Sequence, residues 1–188
     1  MGSRAFLAST PADLGAAEAL VLPGVGHFGP ASRALADSGL GPEIRQLLQS
    51  GLPCLGICLG FQLLTLASEE APGSPGLGLL PLHTIRITPA NPRRYKVPHL
   101  GWNTLSTTDN EPTLLTGIPP HRRRFYFANA YAVSPSPVLA AQTGYYTHDQ
   151  GWLGLVQQGS INAVQFHPEK SRSQGLQLLR NFLRLSAC

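Results

Sequence analysis

The chain has 188 residues, 43% of them hydrophobic and 13% charged, and a net charge of +4. That is enough for one domain, residues 1–188, with a core that needs no disulfides, and too little clustered charge for a nucleic-acid stripe. No apolar run can span a membrane, the start lacks the layout of a signal peptide, and three cysteines fit neither a disulfide framework nor a zinc site; together these predict a cytoplasmic protein without a metal or cofactor.

Taken in order, residues 4–8 read as a short strand. Thr10-Pro11-Ala12-Asp13 opens a helix, with Thr10 as cap, proline at the first helical position and an acid in the first turn. Residues 19–22 form a second, buried strand that ends in Pro23-Gly24-Val25-Gly26. Two glycines there make a plain turn, or let backbone amides approach a ligand closely. Pro30 opens a helix that Gly39 ends, and another runs from near Pro42 through Ile44, Leu47 and Leu48 to Gly51. Residues 52–56 are apolar and β-capable, with Cys54 as packing, and a helix is expected from about Leu59 to Ser68. Strands separated by helices favour a parallel, helix-covered sheet.

After Ala71 the texture changes. Short β-type runs at residues 84–87, 104–106, 124–133, 142–146 and 153–156 predict antiparallel additions and hairpins rather than a second domain. His121-Arg122-Arg123-Arg124 reads as a solvated hairpin or a docking surface. Residues 161–166 are the last apolar strand, which delivers His167-Pro168-Glu169. Ser171-Arg172-Ser173-Gln174 fits a capping box, and the closing helix places Leu176, Leu179, Phe182 and Leu183 along one face. Cys188 is terminal and incidental.

Gly56-Ile57-Cys58-Leu59-Gly60 is the cysteine form of a strand–turn–helix nucleophile elbow. The thiol sits on the bend, where small neighbours avoid clashes and the start of a helix favours the thiolate. On this pentapeptide alone a buried structural cysteine remains open. A nucleophile needs a base, and the base an orienter. His167 and Glu169 supply both from one strand end, because residues i and i+2 of extended chain point to the same side. Gln62 lies one helical turn after Cys58, so its carboxamide can read a polar substrate beside the thiol.

Gly56-Ile57-Cys58-Leu59-Gly60-Phe61-Gln62 with His167-Pro168-Glu169 resembles the class I (triad) glutamine amidotransferases. Pro23-Gly24-Val25-Gly26-His27-Phe28-Gly29, Lys96-Val97-Pro98-His99-Leu100-Gly101-Trp102-Asn103 and Gln165-Phe166-His167-Pro168-Glu169-Lys170-Ser171 look most like the glutaminase subunits of imidazole glycerol phosphate synthase. The resemblance implies a flavodoxin-like three-layer α/β fold, with a mostly parallel central sheet and antiparallel additions. It implies that Cys58 attacks the carboxamide of glutamine while His167 protonates the departing ammonia and Glu169 orients His167. The oxyanion would be held by the N–H of Leu59 and by one from Gly24, Val25 or Gly26, a stretch that is also a candidate switch. Ammonia would pass to the HisF cyclase subunit, a (β/α)₈ barrel, in a heterodimer serving histidine biosynthesis. Trp102, Tyr126 and Lys170 match family positions at that interface, near the ammonia passage.

Two departures bear on this. Family members begin with a further strand and helix, so this chain reads as N-terminally truncated, with an inner strand missing and an unpaired edge on the strand before Pro23. Asn129-Ala130 stands where relatives often have His-Ser or His-Thr, and substrate contacts there would use the backbone. The alternatives are another triad amidotransferase, such as the glutaminase of pyridoxal phosphate synthesis, or a docking module without turnover.

Overall fold

Strand pairing rather than local propensity decides the beginning of the chain. The computed structural model describes residues 4–108 and 110–186; what was expected of Met1 to Ser3 and of Cys188 lies outside them. Residues 4–9 carry no regular structure, so the strand expected at 4–8 does not form. A short extended run needs a neighbouring ladder to take its N–H and C=O groups. Phe6 and Leu7 are left exposed. Helix α1 (Pro11–Leu14) follows as expected. The Asp13 carboxylate accepts from the N–H of Ser9 and of Thr10 and from the Thr10 hydroxyl at 2.9, 2.8 and 2.9 Å. These bonds hold its pKa below the ordinary value.

Strand β1 (Leu20–Leu22) leads to α2 (Phe28–Asp37) and α3 (Leu40–Gln49), then to β2 (Cys54–Ile57) and α4 (Leu59–Leu64). The later strands are β3 (Ala67–Ser68), β4 (His83–Arg86), β5 (His99–Thr104), β6 (Ser106–Thr107), β7 (Arg124–Asn129), β8 (Tyr131–Val133), β9 (Gln142–His148), β10 (Gln150–Gln158) and β11 (Ile161–Val164); α5 (Arg172–Leu185) closes the chain. The main sheet runs β1-β2-β11-β10-β8-β4-β3, with β9 on β10 and β6 on β9, while β5 and β7 pair as a separate ribbon. Parallel pairing is confined to β1-β2, β2-β11 and β3-β4, and the antiparallel additions make up the larger part. Among the described residues β1 pairs only with β2.

Period-two alternation gives the sheet two apolar faces. Leu55, Ile57 and Val164 join Phe125, Phe127, Phe166 and, from α5, Leu178 and Phe182. Cys54, Ile161 and Ala163 join Ile44, Leu48, Phe61 and Leu64 from α3 and α4. Cys54 is fully buried packing, with its thiol pushed up to about 12 by burial. In α5 the inward residues are Gly175, Leu178, Asn181 and Phe182, whereas Leu176 is exposed, a correction to the expected face.

Helix α4 is shorter than expected. It stops at Leu64 because a returning segment takes its last carbonyls. The N–H of Leu77 bonds Leu63 O at 2.7 Å, those of Leu79 and Leu80 bond Leu64 O at 3.0 Å, and that of Gly78 bonds Thr65 O at 3.0 Å. Residues 67–68 then pair as β3 with β4. The basic cluster also differs from expectation. Arg123 is buried, donating from Nε to Ile118 O (2.9 Å) and from Nη1 to Thr107 Oγ1 (3.1 Å) and pairing with Glu111.

What positions the site is the register of three parallel strands. Leu22 lies opposite Gly56 and Ala163 opposite Gly56, so β1, β2 and β11 end together. Loops leaving the carboxyl ends of adjacent parallel strands meet over one crevice.

Candidate active site

Cys58 occupies the bend between β2 and α4 at φ 52°, ψ −105°, a backbone region that costs a non-glycine residue about 1–3 kcal/mol and persists only when neighbours impose it. They do so here. The Cys58 N–H bonds Val164 O at 2.8 Å, and the Gln62 N–H bonds Cys58 O at 3.2 Å to start the helix. A Cβ on Gly60 would fall 1.8 Å from Leu22 O, and one on Gly56 would fall 2.7 Å from Leu64 Cδ1. The elbow therefore closes only with glycine at both places.

The Cys58 side chain is buried. Burial pushes its thiol up to about 11, and the Glu169 carboxylate adds to this; the Leu59 backbone amide, the Gln165 carboxamide and the Lys170 ammonium pull the other way. The sequence expectation that the helix start favours the thiolate is thus outweighed by desolvation, since α4 has only six residues.

His167 leaves the end of β11, its N–H bonded to Tyr126 O at 2.8 Å and its side chain buried. Nδ1 lies 2.7 Å from Glu169 Oε1. The carboxylate arrives by a route other than the expected one, because Pro168–Lys170 is a 3₁₀ turn rather than extended chain. The capping box at Ser171 does not form either. The Ser171 hydroxyl donates to His167 O at 2.6 Å and accepts from the Tyr126 N–H at 3.0 Å. Gln174 Nε2 donates to Arg124 O at 2.7 Å, and Arg172 takes φ 53°. The serine belongs to the histidine rather than to the helix.

A cavity of about 150 Å³ joins these groups. Of the residues singled out from sequence, Val25, Gly26, Cys58, Leu59, Gln62, Asn129, Ala130, His167 and Lys170 line it. Gly24 lies just behind, where an added Cβ would be 2.7 Å from Leu59 Cβ. Gln62 Nε2 donates to Tyr131 O (3.1 Å) and to Gln165 Oε1 (3.3 Å). Asn129 Nδ2 donates to Tyr131 O (2.9 Å) and to Tyr146 Oη (3.0 Å), leaving Oδ1 buried without a partner among the described residues. Trp102 and Tyr126 do not line the cavity but meet edge to face at 6.1 Å; Lys170 Nζ lies 6.0 Å over the Tyr126 ring and the Arg172 guanidinium 5.2 Å over Trp102.

Sequence reasoning missed Glu70, Tyr131, Gln165 and Arg172. Glu70 lines the cavity and accepts from the Phe28 N–H at 2.7 Å, at the start of α2. Gln165 stood within a quoted motif, but only the fold shows that its Nε2 donates to Cys58 Sγ at 3.6 Å. A larger groove of about 550 Å³ between α2, α3 and residues 75–77 is lined by no cysteine or histidine. Among the described residues no helix is long and apolar enough to cross a membrane.

Residues 7–185 match the family described as Glutamine amidotransferase class-I. The chain is 43% identical over 186 residues to the imidazole glycerol phosphate synthase subunit HisH of Methanothermobacter thermautotrophicus, covering 98% of this chain and 88% of that protein. It is 37% identical over 182 residues to the imidazole glycerol phosphate synthase hisHF of Emericella nidulans, covering 93% of this chain and 32% of that one. Among solved structures, a crystal structure of a glutamine amidotransferase shares the fold at a TM-score of 0.69 and 20% identity, covering 100% of this chain and 88% of the other.

Proposed function

This chain belongs to the class-I glutamine amidotransferase family, and we propose that within it the chain is the glutaminase subunit of an imidazole glycerol phosphate synthase. The observation that carries the reading is one cavity holding a thiol on a strained bend and a buried imidazole whose Nδ1 is bonded to a carboxylate. The similarity to HisH proteins over nearly the whole chain supports this member of the family.

The residues carry the reaction as follows. With Nδ1 engaged by Glu169, Nε2 of His167 takes the Cys58 proton as sulfur bonds to the side-chain carbon of glutamine. The N–H of Leu59 and one from residues 24–26 hold the oxyanion. Collapse breaks the C–N bond, and His167 returns the proton to the leaving ammonia. Water, deprotonated by His167, then attacks the thioester, releasing glutamate and restoring the thiol. Gln62 and the backbone at Asn129 and Ala130 hold the substrate, and no cofactor takes part.

Ammonia passes to a (β/α)₈-barrel cyclase, HisF, bound as a heterodimer across Trp102, Tyr126 and Lys170 in the cytoplasm. The single hisHF protein of the fungal relative supports that pairing. The whole chain works as one amidotransferase domain. A second reading is a docking module without turnover. Measuring glutamate release with the cyclase and its nucleotide ligand separates them. Turnover lost in Cys58→Ala, with ammonia-driven synthesis by the cyclase retained, is the expected result. Wild type and Cys58→Ala equally inactive would favour the docking module, and turnover surviving in Cys58→Ala would overturn the thioester route.

A further inference from the structure

The resting sulfur is bonded to an amide. Gln165 is fully buried on the segment leaving β11, with its backbone N–H on Gly154 O at 3.0 Å. Its side chain spans the site: Oε1 accepts from Gln62 Nε2 at 3.3 Å, and Nε2 donates to Cys58 Sγ at 3.6 Å. We propose that Gln165 is a positioning residue that couples the nucleophile to the substrate-reading Gln62, supporting the thiolate with its N–H and fixing the amide of Gln62 with its carbonyl.

The chemistry on each side is asymmetric. A thiol sulfur is a weak acceptor and a thiolate a strong one, so the Gln165 bond strengthens as charge develops on Cys58. An interaction that grows with the developing charge lowers the barrier rather than merely the ground state. On the other side, both hydrogens of Gln62 Nε2 are spent, one on Tyr131 O and one on Gln165 Oε1. The carboxamide of Gln62 is therefore held one way round, with Oε1 as its remaining atom for a donor on the substrate. The titratable groups around the sulfur are His167, Glu169 and Lys170 from the segment after β11, Tyr146 from β9, and Glu70 across the cavity. None of them can replace the directed N–H of a neutral amide without bringing a charge or a titration of its own.

The kinetic side of this inference rests on the glutaminase reading; the thiol side does not. The test follows iodoacetamide alkylation of Cys58, resolved from Cys54 by peptide mass spectrometry, from pH 7 to 10.5 on the full chain. Gln165→Met removes the donor at similar length, and its alkylation profile should move up by about one pH unit, roughly tenfold slower at fixed pH. Gln165→Glu should slow it further, by placing a carboxylate beside the sulfur. Gln62→Met should leave the profile in place while raising KM for glutamine. Coincident profiles in wild type and both Gln165 variants would overturn the proposal. Should both variants fail to fold, the side-chain amide resonance of Gln165 in Cys58→Ala reads the same bond. A shift relative to wild type supports the proposal and an unmoved resonance overturns it. Absent turnover in wild type with the expected alkylation shifts would count against the glutaminase reading alone.

Discussion

Replacing Ser171 by alanine separates a helix cap from a support for His167, the proposed base. The hydroxyl is fully buried, 2.6 Å from His167 O and 3.0 Å from the Tyr126 nitrogen. Removing it strands the Tyr126 N–H, at about 1–3 kcal/mol, and forfeits a second bond worth about 0.5–1.5 kcal/mol. A total near 2–3 kcal/mol lowers Tm by about 5–10 °C in a chain of this size. The loss also frees the backbone carbonyl of His167, and a displacement of an ångström in such a group costs on the order of 10²-fold. Urea unfolding and steady-state glutamine turnover should together show reduced stability and a kcat lowered by roughly 10–100-fold with KM little changed. A simple capping role predicts about 1 kcal/mol and an unchanged kcat. Stability within about 0.5 kcal/mol of wild type and an intact kcat would refute the assignment, since surface-like substitutions fall in that range.

Gly60→Ala forces a Cβ to 1.8 Å from Leu22 O; a loss of 3 kcal/mol or more is expected from displaced backbone, read by urea unfolding or as insoluble expression. Glu169→Gln keeps the shape of the orienting group but removes the charge facing His167 Nδ1, and kcat/KM should fall by roughly 10²-fold or more with unfolding unaffected within about 1 kcal/mol. His99 packs 4.2 Å from His148 between ring centroids, and burial, then that neighbour, bring its pKa down to about 4. The unfolded chain then binds the proton first, so this stability is whole above pH 6.5 and drains away as pH falls toward 4, by roughly 2–3 kcal/mol in all. Unfolding midpoints measured from pH 7 to 4 should show that slope, and His99→Phe should flatten it.

The parts legible in sequence are those whose reason is local. Gly56 to Gly60 shows a bend because the glycines and the apolar run are adjacent, and Asp13 caps Thr10 from three residues away. The parts that were not legible depend on distant chain. Nothing near Thr65 announces that residues 77–80 will take the last carbonyls of α4. Ser171 looks like a cap until Tyr126 and His167 are placed beside it. Arg123 looks solvated until Ile118, Thr107 and Glu111 surround its guanidinium. Gln165 acquires a role only when β11 pairs with β2 and carries it to the sulfur of Cys58.

That pairing also ranks the walls of the site by how firmly each is held. Cys58 and His167 leave β2 and β11, both buried along their whole length and bonded to strands on either side. The third wall, residues 23–26, leaves β1, which has three residues and, among the described residues, one neighbour. Val21 and Val25 are exposed, and at Gly26 an added Cβ would meet nothing within 4 Å. Segments with few buried contacts and a free ladder edge open at the least cost. Cys58 and His167 are therefore set by the core, while the proposed oxyanion donor among residues 24–26 follows a short strand with exposed side chains around it. A partner that contacts residues 23–26 would change the proposed oxyanion donor without moving Cys58 or His167. Its effect should appear in kcat, with the alkylation profile of the thiol unchanged.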